Sequence, residues 1–441
     1  MSPADIDFAL EALQTRDPEA GKNAEAALAA LTAGEGFDHV NQHFLQYFLW
    51  YTLPKKFMVS LDVKLDIAGA LGEVLDAAGM LRYATICRSD VTRECIEAAE
   101  EYGGGQKEYE RAQEASGVEP PDTDVLEWGS ITGMSESRAN AGAASALELA
   151  ITAGELEPGA TGWKGTQKKL TTAWLTAPNT VFDGNTPLAA VHAERMVTWT
   201  MSRSESRRAL LEQIVGRLCD DAGVPDGVEE ALAPLIWFLS RADAGIPLTE
   251  KHNLGRAFVR EAVTRWDWWD RPGQPVREDD VLSLLHLHEF ARSLELVRRR
   301  GRKLLATPAG RHCLEDVGEL WRQIARYLIA ERSFGNAVAE LTLVVLVLEG
   351  ESKKDDIVST ITPMVEEEGW VTGSDWATPV FVDEQDVSIA VYDLWHKAKP
   401  LGLMRDAGDW MNRSFALTDA GVAAALEALR ARATAPRHDV Y

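Results

Sequence analysis

Cysteine is scarce in this chain and never closely paired. Cys87, Cys95, Cys219 and Cys313 are the only four among 441 residues, and none forms the Cys-x-x-Cys spacing of a zinc or redox centre. Free, mostly buried thiols and a reducing compartment follow. Long apolar runs are missing as well. The longest, Leu341 to Leu348, is a buried helix or strand in this reading, well short of the roughly 20 residues that span a bilayer. The first residues, Met1-Ser-Pro-Ala-Asp-Ile-Asp7, show neither the basic segment nor the apolar core of a signal peptide. A soluble, cytoplasmic protein without membrane contact is the expectation.

Catalytic motifs are absent too. There is no Gly-x-Ser-x-Gly elbow, no His-Glu-x-x-His and no dinucleotide fingerprint. The triplet Gly103-Gly-Gly105 has no downstream Gly-Lys-Ser/Thr, so it is a loop and not a phosphate cradle. His286 and His288, like His192 and Glu194, stand two apart. On a helix that spacing points side chains to opposite sides, which excludes convergence on one metal. No metal and no cofactor are therefore expected. An enzyme of unrecognised type remains an alternative with no residues to carry it.

What is present is ordinary globular composition, 46% hydrophobic and 26% charged, over a length that suggests about two to four domains. The net charge of −24 is uneven. Residues 1–150 hold 11 Lys and Arg against 26 Asp and Glu, whereas residues 251–300 hold 10 against 8. The acidic part repels phosphate backbones and keeps the chain in solution.

Apolar residues recur at three and four through Asp5–Leu13, Ala24–Leu31, Val40–Tyr51 and Leu61–Ala78, which predicts helices. Asp38 is placed to cap the third, and Pro54 follows its end. The aromatic run Phe44 to Tyr51 is read as a buried helix in preference to a ligand cage. Tyr102-Gly-Gly-Gly-Gln106 through Glu119-Pro-Pro-Asp-Thr123 breaks the pattern, and helix resumes near Ser135. The expected organisation is an acidic helical domain over 1–101, a linker or surface excursion over 102–125, a central helical domain over 126–232, two similar units over 233–332 and 333–432, and a tail over 433–441.

In the central domain, Trp163 to Leu175 forms a helix ended by Pro178, a turn falls on Asp183-Gly184, and Thr186 caps a helix that has Pro187 in its first position. The run Trp174-Leu, Pro178-Asn179, Asp183-Gly184, Thr186-Pro187 resembles the toxin-binding segment of Xre/ParS-type antitoxins over about 20 residues. That resemblance implies a protein partner held by Trp174, Asn179, Asp183 and Pro187.

Two stretches align 107 residues apart. Leu287, Ala291, Leu294, Leu296 and Arg298 fall opposite Leu394, Ala398, Leu401, Leu403 and Arg405. Each is a helix running into a short extended segment. Each then reaches a shared Thr-x-Ala-Gly, at Thr307–Gly310 and Thr418–Gly421. Strand, turn, strand and a Thr-capped helix make a wing, and the unequal spacing falls at the hairpin tip, where insertions cost least. Upstream, Ala233–Leu239 precedes a helix near Leu254–Arg265, and Leu341–Leu348 precedes one near Asp355–Glu368. The block resembles the winged-helix superfamily in two copies. It is also similar to the C-terminal region of plasmid-borne and insertion-sequence passenger proteins, through Leu248-Thr249, Asn253-Leu254, Val259-Arg260-Glu261 and the run Leu296 to Arg311. The fold class is thus mostly α, a multi-domain helical protein with two C-terminal winged-helix-like units carrying small β-hairpin wings.

Arg298, Arg299, Arg300, Arg302 and Lys303 crowd the first wing and suit a phosphate backbone or minor groove. The helix before it, Val281 to Leu296, offers little that reads base edges, and the second wing sets Asp406 and Asp409 beside Arg405 and Arg413. Trp266, Trp268 and Trp269 are taken as a domain-junction plug in preference to a binding platform. The expected function is a non-enzymatic regulatory or accessory protein that acts through protein partners and, at the first wing, through DNA. An antitoxin-like toxin-binding protein is the alternative, and a homo-oligomer is compatible with either.

Overall fold

The computed structural model describes the chain except residues 1–2, 35, 38–39, 101–103, 220–222, 270–271, 330–332, 373–379, 408–412 and 439–441. It is mostly helical, with small antiparallel sheets. Tertiary contacts divide it into two compact units, residues 1–194 with 436–441, and residues 195–435.

The first unit is wholly helical among its described residues. Asp17 accepts from the Ala20 amide at 3.1 Å and Pro18 opens the helix Pro18–Thr32, a start that follows from proline's fixed φ and a capping carboxylate. The third helix begins at Gln42 and is capped by Asn41, whose side chain accepts from Phe44 N at 2.9 Å; the expected cap, Asp38, lies outside the described residues. The aromatic run is helical, widens into a π-turn over Phe48–Thr52, and buries Phe48, Leu49 and Trp50. Within the segment expected as a linker, Gln106–Ser116 is a helix. Long helices at Leu61–Ala77 and Met134–Ala153 bury further side chains, among them Leu71, Val74 and Leu75 on the first and Ala139, Ala143 and Leu147 on the second.

The second unit holds the duplicated stretches. Its first half runs helix Ala233–Ala244, strand β1 (Ile246–Pro247), helices Arg256–Trp266 and Leu282–Ser293, strands β2 (Val297–Arg300) and β3 (Lys303–Ala306), and helix Pro308–Glu315. The other half repeats that order: helix Phe334–Glu349, β4 (Ser352–Lys353), helix Lys354–Glu367, helix Glu384–Ala398, β7 (Met404–Ala407), β8 (Ser414–Leu417) and helix Asp419–Thr434. It adds a short hairpin, β5 (Val371–Thr372) with β6 (Val380–Phe381), between its second and third helices. The two three-stranded sheets have matching orders, β1-β3-β2 and β4-β8-β7, and matching registers: Val297 faces Ala306 as Met404 faces Leu417.

The Thr-x-Ala-Gly motif has the same job twice. Thr307 Oγ1 accepts from Gly310 N and donates to the Glu295 carbonyl; Thr418 Oγ1 accepts from Gly421 N and donates to the Gly402 carbonyl. The capped helix thereby starts against the strand that opens the hairpin. Buried side chains from both halves, including Phe238, Trp321 and Phe415, form one continuous core. Full burial of Phe238 or Phe415 contributes roughly 1.5–3 kcal/mol relative to exposure.

Candidate functional site

In the first hairpin β2 is an edge strand, paired only to β3 among the described strands. Its alternation fails after Val297. Arg298, Arg299 and Arg300 are all exposed, as are Arg302 and Lys303, because the hairpin projects past the core that Val297, Leu304 and Ala306 enter. Arg302 is held by Glu250 at 2.9 Å on the solvent side. Arg298, Arg299, Arg300 and Lys303 have no ion pair with any described residue. The five predicted residues therefore do come together, four as free cations and one already engaged.

The second hairpin is electrically closed. Arg405 meets Glu351 at 3.6 Å, Lys399 meets Asp406 at 2.9 Å, and Arg413 lies 3.8 Å from the same carboxylate. Lys399 and Arg413 also lie over the Trp395 ring at 4.7 and 4.9 Å. Asp409 is outside the described residues.

The helix that leads into the first hairpin, Leu282–Ser293, buries Leu284, Leu287, His288, Phe290 and Ala291. Its solvent stripe is Leu282, Glu289, Arg292 and Ser293, flanked by half-buried Leu285 and His286. The corresponding helix of the second half, Glu384–Ala398, packs beside it, and the rings of His286 and His396 stack at 5.4 Å. Burial and the neighbouring His286 lower the pKa of His396. His288 points the other way and contacts Glu278 at 2.6 Å in the core, while Glu278 also accepts from Leu254 N. Among the described residues no group of His, Cys, Asp and Glu could hold a metal ion. A groove of about 470 Å³ beside these helices is lined by His286, Glu289, Phe290, Arg292, Ser293, Tyr327 and Lys397; no serine or cysteine there contacts a histidine in the manner of an activated nucleophile.

The segment singled out for a protein partner is used within its own unit. The Trp174 ring covers Gly142, where a Cβ would overlap it, and its Nε1 donates to the Ala139 carbonyl at 3.1 Å. Asn179 Oδ1 accepts from Val181 N at 2.8 Å. Asp183 is exposed at a left-handed φ of 55° and closes the turn, while Pro187 is buried behind the Thr186 cap. Glu194, two residues from His192, accepts from Ser135 N and Glu136 N, so it caps the helix Met134–Ala153.

Among the tryptophans, Trp266 meets Trp237 edge-on at 6.2 Å and Trp268 face-on at 6.3 Å, at the margin of the second unit's core. The four cysteines are all free. Burial raises the Cys87 thiol to about 12 and Cys95 to about 11, far from the range in which a thiolate reacts.

Residues 232–319, which contain the first half of the duplicated block, match the family described as Y4jL N-terminal domain. No curated protein and no solved structure matches the chain. Two features escaped sequence reasoning. The Glu250–Arg302 pair spans 52 residues, and Glu351 lies in the turn before β4, far from the arginine it neutralises. Neither carries a local pattern.

Proposed function

We propose that residues 233–432 are two diverged winged-helix-like units and that the chain is a non-enzymatic accessory or regulatory protein. On this reading it works in the cytoplasm through protein partners and touches DNA with its first hairpin. The repeated order of helix, strand, helix, helix, hairpin and capped helix supports the architecture. One observation carries the DNA contact: Arg298, Arg299 and Arg300 stand exposed and unneutralised on an edge strand, while every described cation of the second hairpin has a carboxylate or an aromatic face. Phosphate contact is made by cations that are not already neutralised. The second unit, so neutralised, is the scaffold or protein-facing half. The antitoxin-like alternative has less support, since Trp174, Asn179 and Pro187 already serve contacts inside their own unit.

The test is a titration with duplex DNA at low and moderate salt. Affinity should fall steeply as salt rises, and Arg298→Ala/Arg299→Ala/Arg300→Ala should abolish measurable binding without altering the melting temperature. A folded protein with no salt-dependent affinity for DNA would sink the DNA part of the reading.

A further inference from the structure

We infer that the first hairpin holds duplex DNA by its phosphates alone, without reading sequence, and that Glu250 acts as an internal competitor that limits this grip. The inference rests on the DNA reading above and deepens it. Base-edge readout by a helix requires that the helix enter a major groove about 12 Å wide. One α-helix with side chains already measures about 10–12 Å across. The helix Leu282–Ser293 does not stand alone: Glu384–Ala398 lies alongside it, with His286 stacked on His396. A second helix at a packing distance of about 8–10 Å widens that flank and limits how deeply the helix can enter the groove. The chemistry agrees with the sterics. The solvent stripe of that helix sets Glu289 among Leu282, Arg292 and Ser293, so a carboxylate, which phosphates repel, sits where base contacts would form.

What remains for DNA is the hairpin. Its free cations are Arg298, Arg299, Arg300 and Lys303, and each can displace a condensed counterion from a phosphate. Arg302 belongs to the same hairpin, between Arg300 and Lys303 in sequence, but its guanidinium is held by Glu250 at 2.9 Å with both groups exposed. A phosphate approaching the hairpin must either leave Arg302 to Glu250 or take it. It also approaches the Glu250 carboxylate itself. Removing that carboxylate both frees a fifth cation and deletes a repulsive charge.

The experiment uses the full chain and two 20-base-pair duplexes of unrelated sequence, titrated between 50 and 200 mM salt. Four cations give a slope of log affinity against log salt of about −3.6, at roughly 0.9 per phosphate. The two duplexes should bind within about threefold of each other, as expected of contacts that carry no sequence information. Glu250→Gln should steepen the slope by about 0.9 and tighten binding at low salt by several-fold. Glu289→Gln, on the solvent stripe of the flanked helix, should leave the preference between duplexes unchanged. Discrimination above about tenfold, or a Glu250→Gln variant with the same slope as the parent, would overturn the inference while leaving the hairpin as the DNA contact. Binding confined to single strands would overturn it as well. Loss of all DNA binding by the parent protein is a different outcome, which removes the underlying reading.

Discussion

Glu340 lies on the helix Phe334–Glu349, 2% exposed, and receives two guanidinium groups: Arg207 Nη2 donates to one oxygen at 2.8 Å and Arg432 Nε to the other at 3.2 Å. The carboxylate thus joins three helices, Glu205–Val215, Phe334–Glu349 and Asp419–Thr434. A buried ion group of this type contributes little over an apolar replacement of the whole set, because taking charges from water is costly. Removing one member is another matter. Glu340→Leu leaves two half-buried guanidiniums facing a side chain that cannot accept, and the expected cost is roughly 3–5 kcal/mol. Replacing all three residues by apolar ones should recover most of that loss. Urea denaturation of the single and triple variants checks both expectations; a Glu340→Leu variant within about 1 kcal/mol of the parent would show that the arginines find other acceptors.

At the scale of elements, the duplicated Thr-x-Ala-Gly motif is where local sequence and structure agree most closely. The threonine requirement is a capping hydrogen bond, 3.0 Å in both copies. The glycine requirement is space: a Cβ at Gly310 would overlap the Leu296 carbonyl oxygen, and one at Gly421 the Leu403 carbonyl oxygen. Both carbonyls accept from the capping threonine's own amide, at 2.9 and 3.1 Å, so neither can move aside without opening the hairpin. Gly310→Ala and Gly421→Ala should each therefore destabilise by about 1–3 kcal/mol, the range for overpacking. Thr307→Ala and Thr418→Ala should cost about 1 kcal/mol, and serine should restore most of it. Thermal melts of the four variants would decide this, and glycine variants that melt with the parent would contradict the steric account. These motifs were legible because cap and glycine act within a few residues of each other. β1 and β4 were not, since two-residue strands have no alternation to read. Nor was the true start of the third helix, where Asn41 and Asp38 are equally good caps by residue type. The closed side of the candidate site was equally invisible: the contact between His286 and His396 joins helices more than 100 residues apart.

At the scale of the whole molecule, the sequence conveyed the charge of the parts but not which charges meet. The five basic residues of the first hairpin lie within six positions of sequence and on one hairpin in space. Their neutralised counterparts in the second hairpin depend on Glu351 and on Asp406, which holds both Lys399 and Arg413. The same lesson applies to acid stability in a chain with 69 Asp and Glu against 45 Lys and Arg. Glu368 is a carboxylate that its surroundings shift. Burial alone would raise its pKa from the ordinary 4.5, but hydrogen bonds from Ser202 Oγ and from the amides of Ser204 and Arg203, with the Arg207 guanidinium nearby, hold it lower. A carboxylate whose folded pKa lies below its unfolded one binds fewer protons when folded. Its contribution is therefore fully present above the unfolded value and disappears as pH falls through the folded one. Glu368 ties the Ser202–Ser204 segment to the end of the helix Lys354–Glu367, so that contribution is an attachment within the second unit. Glu368→Gln, which mimics the protonated acid, should destabilise this unit at pH 7. The difference between parent and variant should narrow as pH falls below 4.5 and close once the parent's Glu368 is protonated. Urea midpoints for both proteins at pH 7 and at steps from pH 5 down to pH 3 measure that gap, and a gap that stays constant through the lowest steps would show that Glu368 stabilises by packing and not by charge.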